Sequence, residues 1–432
     1  MSAVVHQGSP RRARGASEHE DLRPLQLFFL AGAVFVVSAG YGALLPLLPA
    51  WLAQQIPGSS PAEVARHVGF LSGAFAAGVL VGAPVWGWVS DRLGRPHILI
   101  AGLIGYVASL LILLLPSMAS LWAIYLLRTA AGVFIAAVLP LVPALVAAHT
   151  PTERRARRFA WLGAASLLGF LFGPGLVAIA EALAALIADG AALAPLAARI
   201  VIVLSAALGA TMMLGLALTL PAHEDAAQAG ESEPHAPDRT RLVALCWLSA
   251  AVTFVLSGFE IGIVLQSGQH AGLSTREVAM MFAQCSLVML GVNALLFFTS
   301  LLDKVASRWV IAAGSLIALS GLAMLSLHQS NASMYMGITL TSAGTGLVLP
   351  VVAFLAAGAS RASLGATMAW LTAAGALGQT LGSAIAGWLF AVVAQFAFGW
   401  LALPLVLTFP LLLLRPSWWV ASAAPAAGEK AG

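Results

Sequence analysis

The chain has 432 residues, of which 60% are hydrophobic and 9% charged, with a mean hydropathy of +0.94. A water-soluble domain carries about 25% charged residues, so this chain has too few to cover a soluble globule. Lys304 and Lys430 are its only lysines and neither closes a GxxxxGK[ST] stretch, which excludes a Walker A nucleotide site, and a formal net charge of +4 makes no case for binding nucleic acid.

A bilayer core about 30 Å thick takes roughly 20 apolar residues per helix, and windows of that kind recur twelve times. They run Leu25–Leu52, Gly69–Val89, Ile98–Leu115, Leu121–Ala148, Phe159–Ala188 and Ala197–Leu220, then Leu242–Gln266, Val278–Leu302, Trp309–Leu327, Met334–Ala357, Leu364–Phe390 and Ala394–Leu414. The last two form one continuous apolar stretch about two spans long, which needs a tight turn near Gln395. Alternating the loops puts 17 of the 21 cations on one side, from Arg11, Arg12, Arg14 and Arg23 to Arg415 and Lys430. Arg66, Arg199 and Arg276 fall on the other side, and Arg128 lies inside a span. The positive-inside rule then places both termini in the cytoplasm of a multi-pass inner (plasma) membrane protein. The first apolar run is about 28 residues long without a small-residue cleavage site, so it reads as a retained span rather than a signal peptide.

The acidic, proline-containing segment His223–Arg241 divides six spans from six and has the composition of a solvated linker. The organisation expected is a tail over residues 1–24, a six-helix bundle over 25–220, a linker over 221–241, a second bundle over 242–415 and a tail over 416–432. Cys246 and Cys285 both sit in apolar runs and read as small core residues rather than a disulfide pair.

The two halves repeat one another. Val138, Leu139 and Pro140 are followed by Trp161, Gly169 and Gly173; Val348, Leu349 and Pro350 are followed by Trp370, Gly378 and Gly382. The offset is 210 at the proline and 209 at the tryptophan and glycines. Asp91 and Arg92 have counterparts in Asp303 and Lys304. A six-helix unit duplicated in the same orientation is the parallel repeat of a two-halved transporter.

The loop after the second span reads Gly87-Trp-Val-Ser-Asp91-Arg92-Leu-Gly94-Arg95-Pro96. Gly87 would let helices approach closely, Gly94 permits a tight turn, and Asp91 with Arg92 and Arg95 would form a charged latch. This stretch resembles the GxxxDRxGRR/K signature of the major facilitator superfamily, with Pro96 in place of the last basic residue. Arg128 through Gly132 resembles the RxxxG element of that family. An arginine about 10 Å inside a span needs a carboxylate, backbone carbonyls or water, unless it snorkels to the surface. Gly169, Gly173 and Pro174 give a partial GxxxGP, which resembles the element associated with antiporters of the superfamily. Its glycines would let the helix pack across the interface between halves, and its proline frees a carbonyl.

Only Glu181 and Glu260 among the acids fall clearly within spans. Glu260 is the deeper, between Gly258 and Gly262, where desolvation disfavours a charged carboxylate. It is the expected proton-coupling or substrate group, with Arg128 and Glu181 beside it, although an ion pair between those two is the plainer reading. Tyr41, Phe254, Gln284, Asn293 and Gln379 are candidate cavity-lining residues, with Phe35 and Phe259 as further apolar walls and Thr341, Ser342 and Thr345 as further polar ones. Trp161 and Trp370 suit an interfacial aromatic belt.

The resemblance implies an all-α membrane protein with twelve transmembrane helices in two pseudo-symmetric six-helix bundles, the major facilitator fold. It further implies a secondary active transporter working by alternating access, and most resembles the drug:proton antiporter branch. The cargo would be a small amphipathic organic compound such as a drug or a secreted metabolite, for example a siderophore. The expected partners are that substrate, protons and the lipid bilayer; no metal or cofactor is expected, and the chain would act as a monomer. Uptake by proton symport and a transporter-fold sensor stay open as alternatives. The nine histidines show no HExxH or other metal spacing and no nucleophile–base arrangement stands out, so an enzyme is not expected.

Overall fold

A computed structural model describes residues 22–115, 120–150, 152–220, 239–269, 273–299, 305–357, 364–414 and 419. Residues 221–238 of the expected linker, 1–21 and all but Trp419 of 416–432 in the tails, and the pair Asp303 and Lys304 fall outside the described residues, as does the side chain of Asp91; the last three residues of the expected linker, 239–241, open a helix instead.

The first half comprises α1 (Pro24–Gln55), α2 (Pro61–Leu93), α3 (Arg95–Ile112), α4 (Leu121–Ile135), α5 (Val138–Ala148), α6 (Thr152–Ala185) and α7 (Leu193–Thr219). Two of these helices arise from one expected span. Pro140 lacks an N–H and its ring crowds the carbonyl four residues back, which is Ala136, so the span breaks there. The amide of Ala137 turns back to the carbonyl of Phe134 instead. The second half comprises α8 (Arg239–Gln269), α9 (Thr275–Thr299), α10 (Ser307–Ser326), α11 (Asn331–Ala357) and α12 (Leu364–Val393). It is completed by the short helices α13 (Ala397–Leu401), α14 (Leu403–Val406) and α15 (Thr408–Leu414). The repeat-related Pro350 stands inside an unbroken α11; the second proline, Pro143, is found only in the first half.

Among the described residues, eleven helical stretches are long and apolar enough to cross a bilayer, and the last, Trp370–Leu414, has 45 residues. That length is about twice what one crossing needs. A 3-10 turn at Ala394–Phe396 interrupts it, with Ala394 in the left-handed region at φ 50. The chain then folds back so that α13 packs on α8 and α10, and the break falls where the sequence calls for a turn.

Local chemistry sets the helix ends. Ser60 and Glu63 form a capping box at the start of α2, and Ser274 with Glu277 repeats it at the start of α9. Each satisfies amide groups that the first turn leaves unpaired. Gly94, at φ 86, makes the turn between α2 and α3, a conformation that costs a residue without Cβ little.

Exposed apolar side chains recur at spacings of seven and four along α6, at Trp161, Leu168, Phe172, Ile179 and Leu183. Along α12 they are Trp370, Leu377, Leu381 and Trp388. These stripes are the lipid-facing sides of helices whose other faces are packed, and both repeat-related tryptophans lie at one end of them, where an interfacial ring belongs.

The core shows how the halves meet. One buried cluster joins C-terminal residues such as Val255, Phe259 and Phe282 to Leu45, Leu48, Leu52, Ala65, Val68, Leu71 and Ile124 of the first half. These first-half residues lie toward the ends of α1, α2 and α4 on the face opposite the termini, called the far side below. A second cluster is built from the first half and includes only Ala376 of α12 from the other. Backbone contact is closest at the far side: a Cβ on Gly69 of α2 would lie 2.6 Å from Gly387 of α12, and one on Gly73 would lie 3.0 Å from the carbonyl of Thr380. Among the described residues, core packing thus joins the halves on the far side and in the middle, and leaves them apart toward the termini. Cys285 is buried, Cys246 half-buried, and both are free.

Candidate functional site

Glu260 occupies the place where the halves meet. Gly258 and Gly262, four residues apart on one face of α8, approach Leu401 and the rings of Phe398 and Phe390 so closely that a Cβ would collide with them. Position 260 is about 200° around the helix from position 258, so Glu260 points the other way, toward α1. It is 7% exposed, and Tyr41 of the opposite half donates its hydroxyl to Oε2 at 3.1 Å. Gln379 of α12 lies against the same hydroxyl. Four ring contacts extend the site: Tyr41 to Phe75 at 5.7 Å, Tyr41 to Phe170 at 5.9 Å, Phe170 to Phe282 across the halves at 5.7 Å, and Arg128 over Phe75 at 4.9 Å. Phe75, Phe170 and Phe282 carried no signal that set them apart from other apolar residues of their helices.

Arg128 is 6% exposed, so it does not snorkel. Its Nε has no hydrogen-bond partner among the described residues, and the hydroxyls of Tyr41 and Tyr106 are the ionisable groups acting on it. Glu181 is half-buried near the far end of α6 and lines a different cavity. The plain ion pair between them is not what the geometry gives.

The GxxxGP element of α6 packs elsewhere than expected. A Cβ on Gly169 would strike the backbone of Phe35, and one on Gly173 the backbone of Gly42 and Ala43. Both contacts are with α1 of the same half, so the glycines do not pack across the interface between halves. Pro174 releases the carbonyl of Phe170 four residues back, and that oxygen faces Gly42, where a Cβ would stand 2.8 Å away. The element therefore seats α6 on α1 next to Tyr41.

Other expected positions divide the same way. A Cβ on Gly87 would meet nothing within 4 Å, so no close helix approach requires that glycine here. Arg92 stacks over Trp88 at 3.7 Å, and Arg95 opens α3. Gln284 donates to the carbonyl of Tyr335 and to Thr339 of α11, and Asn293 to the carbonyl of Met289 in its own helix. Their amide groups are engaged in packing rather than facing Glu260. Thr341 and Thr345 bond back to their own helix, while the backbone of Phe254 abuts Gly382 and Phe259 is wholly buried. Among the described residues no group of three His, Cys, Asp or Glu side chains gathers as a metal site would require.

The family described as Major Facilitator Superfamily matches residues 30–300, and the chain belongs to it. Over 135 residues the chain is 36% identical to the tetracycline resistance protein, class B, of Escherichia coli, spanning 31% of this chain and 32% of that protein. It is 26% identical over 288 residues to multidrug resistance protein 2 of Bacillus subtilis (strain 168), covering 65% of this chain and 68% of the relative. The match to the first of these takes in about a third of the relative's length. The solved structure of the human organic anion transporter MFSD10 superposes with a TM-score of 0.70 over 90% of this chain and 100% of that one, at 19% identity, which is a likeness of fold. With its many apolar helices, the protein is a multi-pass membrane protein of the transporter fold.

Proposed function

We propose that the protein is a proton-coupled exporter of small amphipathic organic compounds, acting as a monomer in the inner (plasma) membrane with both termini in the cytoplasm. The proposal takes the halves as residues 25–220 and 242–415, joined by a cytoplasmic linker at 221–241. The relatives named for tetracycline and multidrug resistance support export. The observation that carries the reading is the buried carboxyl of Glu260, held by a hydroxyl from the opposite half.

A carboxyl in that place links protonation to the contact between halves. Ionised, Glu260 accepts from Tyr41 across the interface, and burying that charge is tolerable only while donors surround it. A proton taken up from the far side removes the charge and favours rearrangement of the halves; release toward the cytoplasm restores it. With the halves shut on the far side, this conformation is the cytoplasm-open one, and Asp91, Arg92 and Arg95 with Asp303 and Lys304 would latch the opposite state.

Glu260→Gln keeps the shape and removes the titration. In proteoliposomes with an imposed pH gradient, gradient-driven transport of a tetracycline or fluoroquinolone probe should be abolished while folded yield stays unchanged. Coupled flux equal to that of the unaltered protein would overturn the reading.

A further inference from the structure

The first half contains two adjoining cavities near its far end, the inner of which meets the Glu260 site at Arg128. The outer one, about 40 Å³, is bounded by Ala50, Trp51, Gln54 and Glu181 among others, and reaches the surface at the exposed Gln54. The inner one, about 20 Å³, shares Leu47, Trp51 and Ala198 with it and ends at Arg128. A cavity needs about 10–15 Å³ to hold one water and polar partners to keep it; both are large enough, the outer one offers Gln54 and Glu181, and the inner one, otherwise walled by Leu44, Leu48, Leu113 and Ile202, offers Arg128. Beyond Arg128 the line continues through Phe75 to Tyr41 and Glu260. Glu181, Arg128, Tyr41 and Glu260 therefore form a series from the far surface to the centre, although the halves are closed together on that side.

The repeat-related positions of the second half carry neither charged group. At the repeat offsets of 210 and 209, Arg128 corresponds to Ile338 and Glu181 to Phe390. Both are buried, at 0% and 3% exposure.

A line of water-sized cavities whose apolar inner end meets a buried guanidinium, one ring away from the Tyr41 that holds the coupling carboxyl, is a hazard for a carrier. A proton entering from the far side and leaving by the open termini side would cross without cargo. What blocks that line is a guanidinium that stays protonated, sits where the dielectric is low, and so repels a second cation strongly, as arginines do in pores that exclude protons. We propose that Arg128 is the electrostatic plug of this side passage and Glu181 its mouth, so that far-side protons reach Glu260 only when the halves exchange. The plug rests on the proton-coupled reading of Glu260, but its test does not require coupled transport.

The test is passive proton conductance of proteoliposomes holding the full-length protein and no cargo, driven by a potassium diffusion potential and read by an internal pH dye. Arg128→Gln should raise the flux about tenfold or more over the unaltered protein. Arg128→Lys should stay tight, and Ala198→Phe, which fills the wall shared by both cavities, should suppress the leak when added to Arg128→Gln. Leu47→Gln, which makes the shared wall polar with the plug in place, should also stay tight and guards against misfolding of the arginine variants. A folded Arg128→Gln protein as tight as the unaltered one, or a leak through Leu47→Gln, would overturn the proposal. A leaky Arg128→Gln protein together with an unaltered protein that moves no cargo on a pH gradient would sink the coupling reading and leave the plug standing.

Discussion

In the first half α6 sets Gly169 and Gly173 against the backbone of α1; in the second, α12 sets Gly378 and Gly382 against the backbones of Ala250 and Phe254 in α8. The scaffold is the same helix-on-helix seam used twice. The chemistry around it differs. The first-half seam carries Pro174 and a hydroxyl pair, Ser38 with Ser166 at 2.9 Å. At the position related to Pro174 the second half has Ser383, bonded to Ser257, with Thr253 donating to the carbonyl of Gly375 and Ser249 to that of Leu371. The buried cation is in the first half and the buried carboxyl in the second. Duplication supplied the shape, and among the described residues the copies differ in which charge they bury.

That division can be broken most severely by moving a charge. Ile338→Arg places in the second half, at a wholly buried position, what Arg128 is in the first. An unpartnered arginine deep in a span costs about 3 kcal/mol or more, so the yield of monodisperse protein in detergent should collapse. A variant that folds and unfolds like the unaltered chain would show that the interiors of the halves are equally tolerant of charge.

Smaller, and more even, is the effect expected from crowding the seams. Gly173→Leu and Gly382→Leu each drive a side chain into backbone and should lower stability by about 1–3 kcal/mol, read as a lower thermal unfolding temperature. Gly387→Leu meets the other half instead of its own. It should leave the stability of each bundle nearly intact and lengthen spin-label distances across the far side. Equal destabilisation by all three substitutions would remove the distinction between seams within halves and the seam between them.

The fold was legible because apolar length and repeated motifs are properties of the chain itself. Twelve windows, the repeat and the break near Gln395 follow from composition, and the deep placement of Glu260 follows from its position inside the seventh apolar window. Partnership was less legible. GxxxG spacing says that a helix is approached closely and says nothing of by which neighbour, so the α6 glycines were assigned to the wrong interface. Gly87 read as a close-packing residue from its motif, yet open space surrounds it. Gln379 stands out by polarity in an apolar setting, whereas Tyr41 reads as an apolar wall and its hydroxyl's bond to Glu260 comes from the structure. Phe75, Phe170 and Phe282 do not stand out, because a phenylalanine in a transmembrane helix has no polar contrast to mark it. The fate of amides such as Gln284 is settled by whichever hydroxyl or carbonyl the neighbouring helix presents, and no periodicity encodes that.

The finest separation between the halves lies in their serine pairs. Ser257 and Ser383 are both buried, at 2% and 0% exposure, whereas Ser38 and Ser166 are only partly so. A hydrogen bond between side chains in a membrane protein is worth about 0.6 kcal/mol on average, but a hydroxyl left buried without its partner adds the cost of its own desolvation. Ser257→Ala and Ser383→Ala should therefore each destabilise more than the double substitution, which removes both polar groups together. In the first half the surviving hydroxyl has access to other partners, so Ser38→Ala and Ser166→Ala should cost less, and the cycle between them should be close to additive. Thermal unfolding of the two cycles, measured in one detergent, tests this. Coupling of equal size in both halves would mean that the bond itself, rather than burial of the pair, sets its worth.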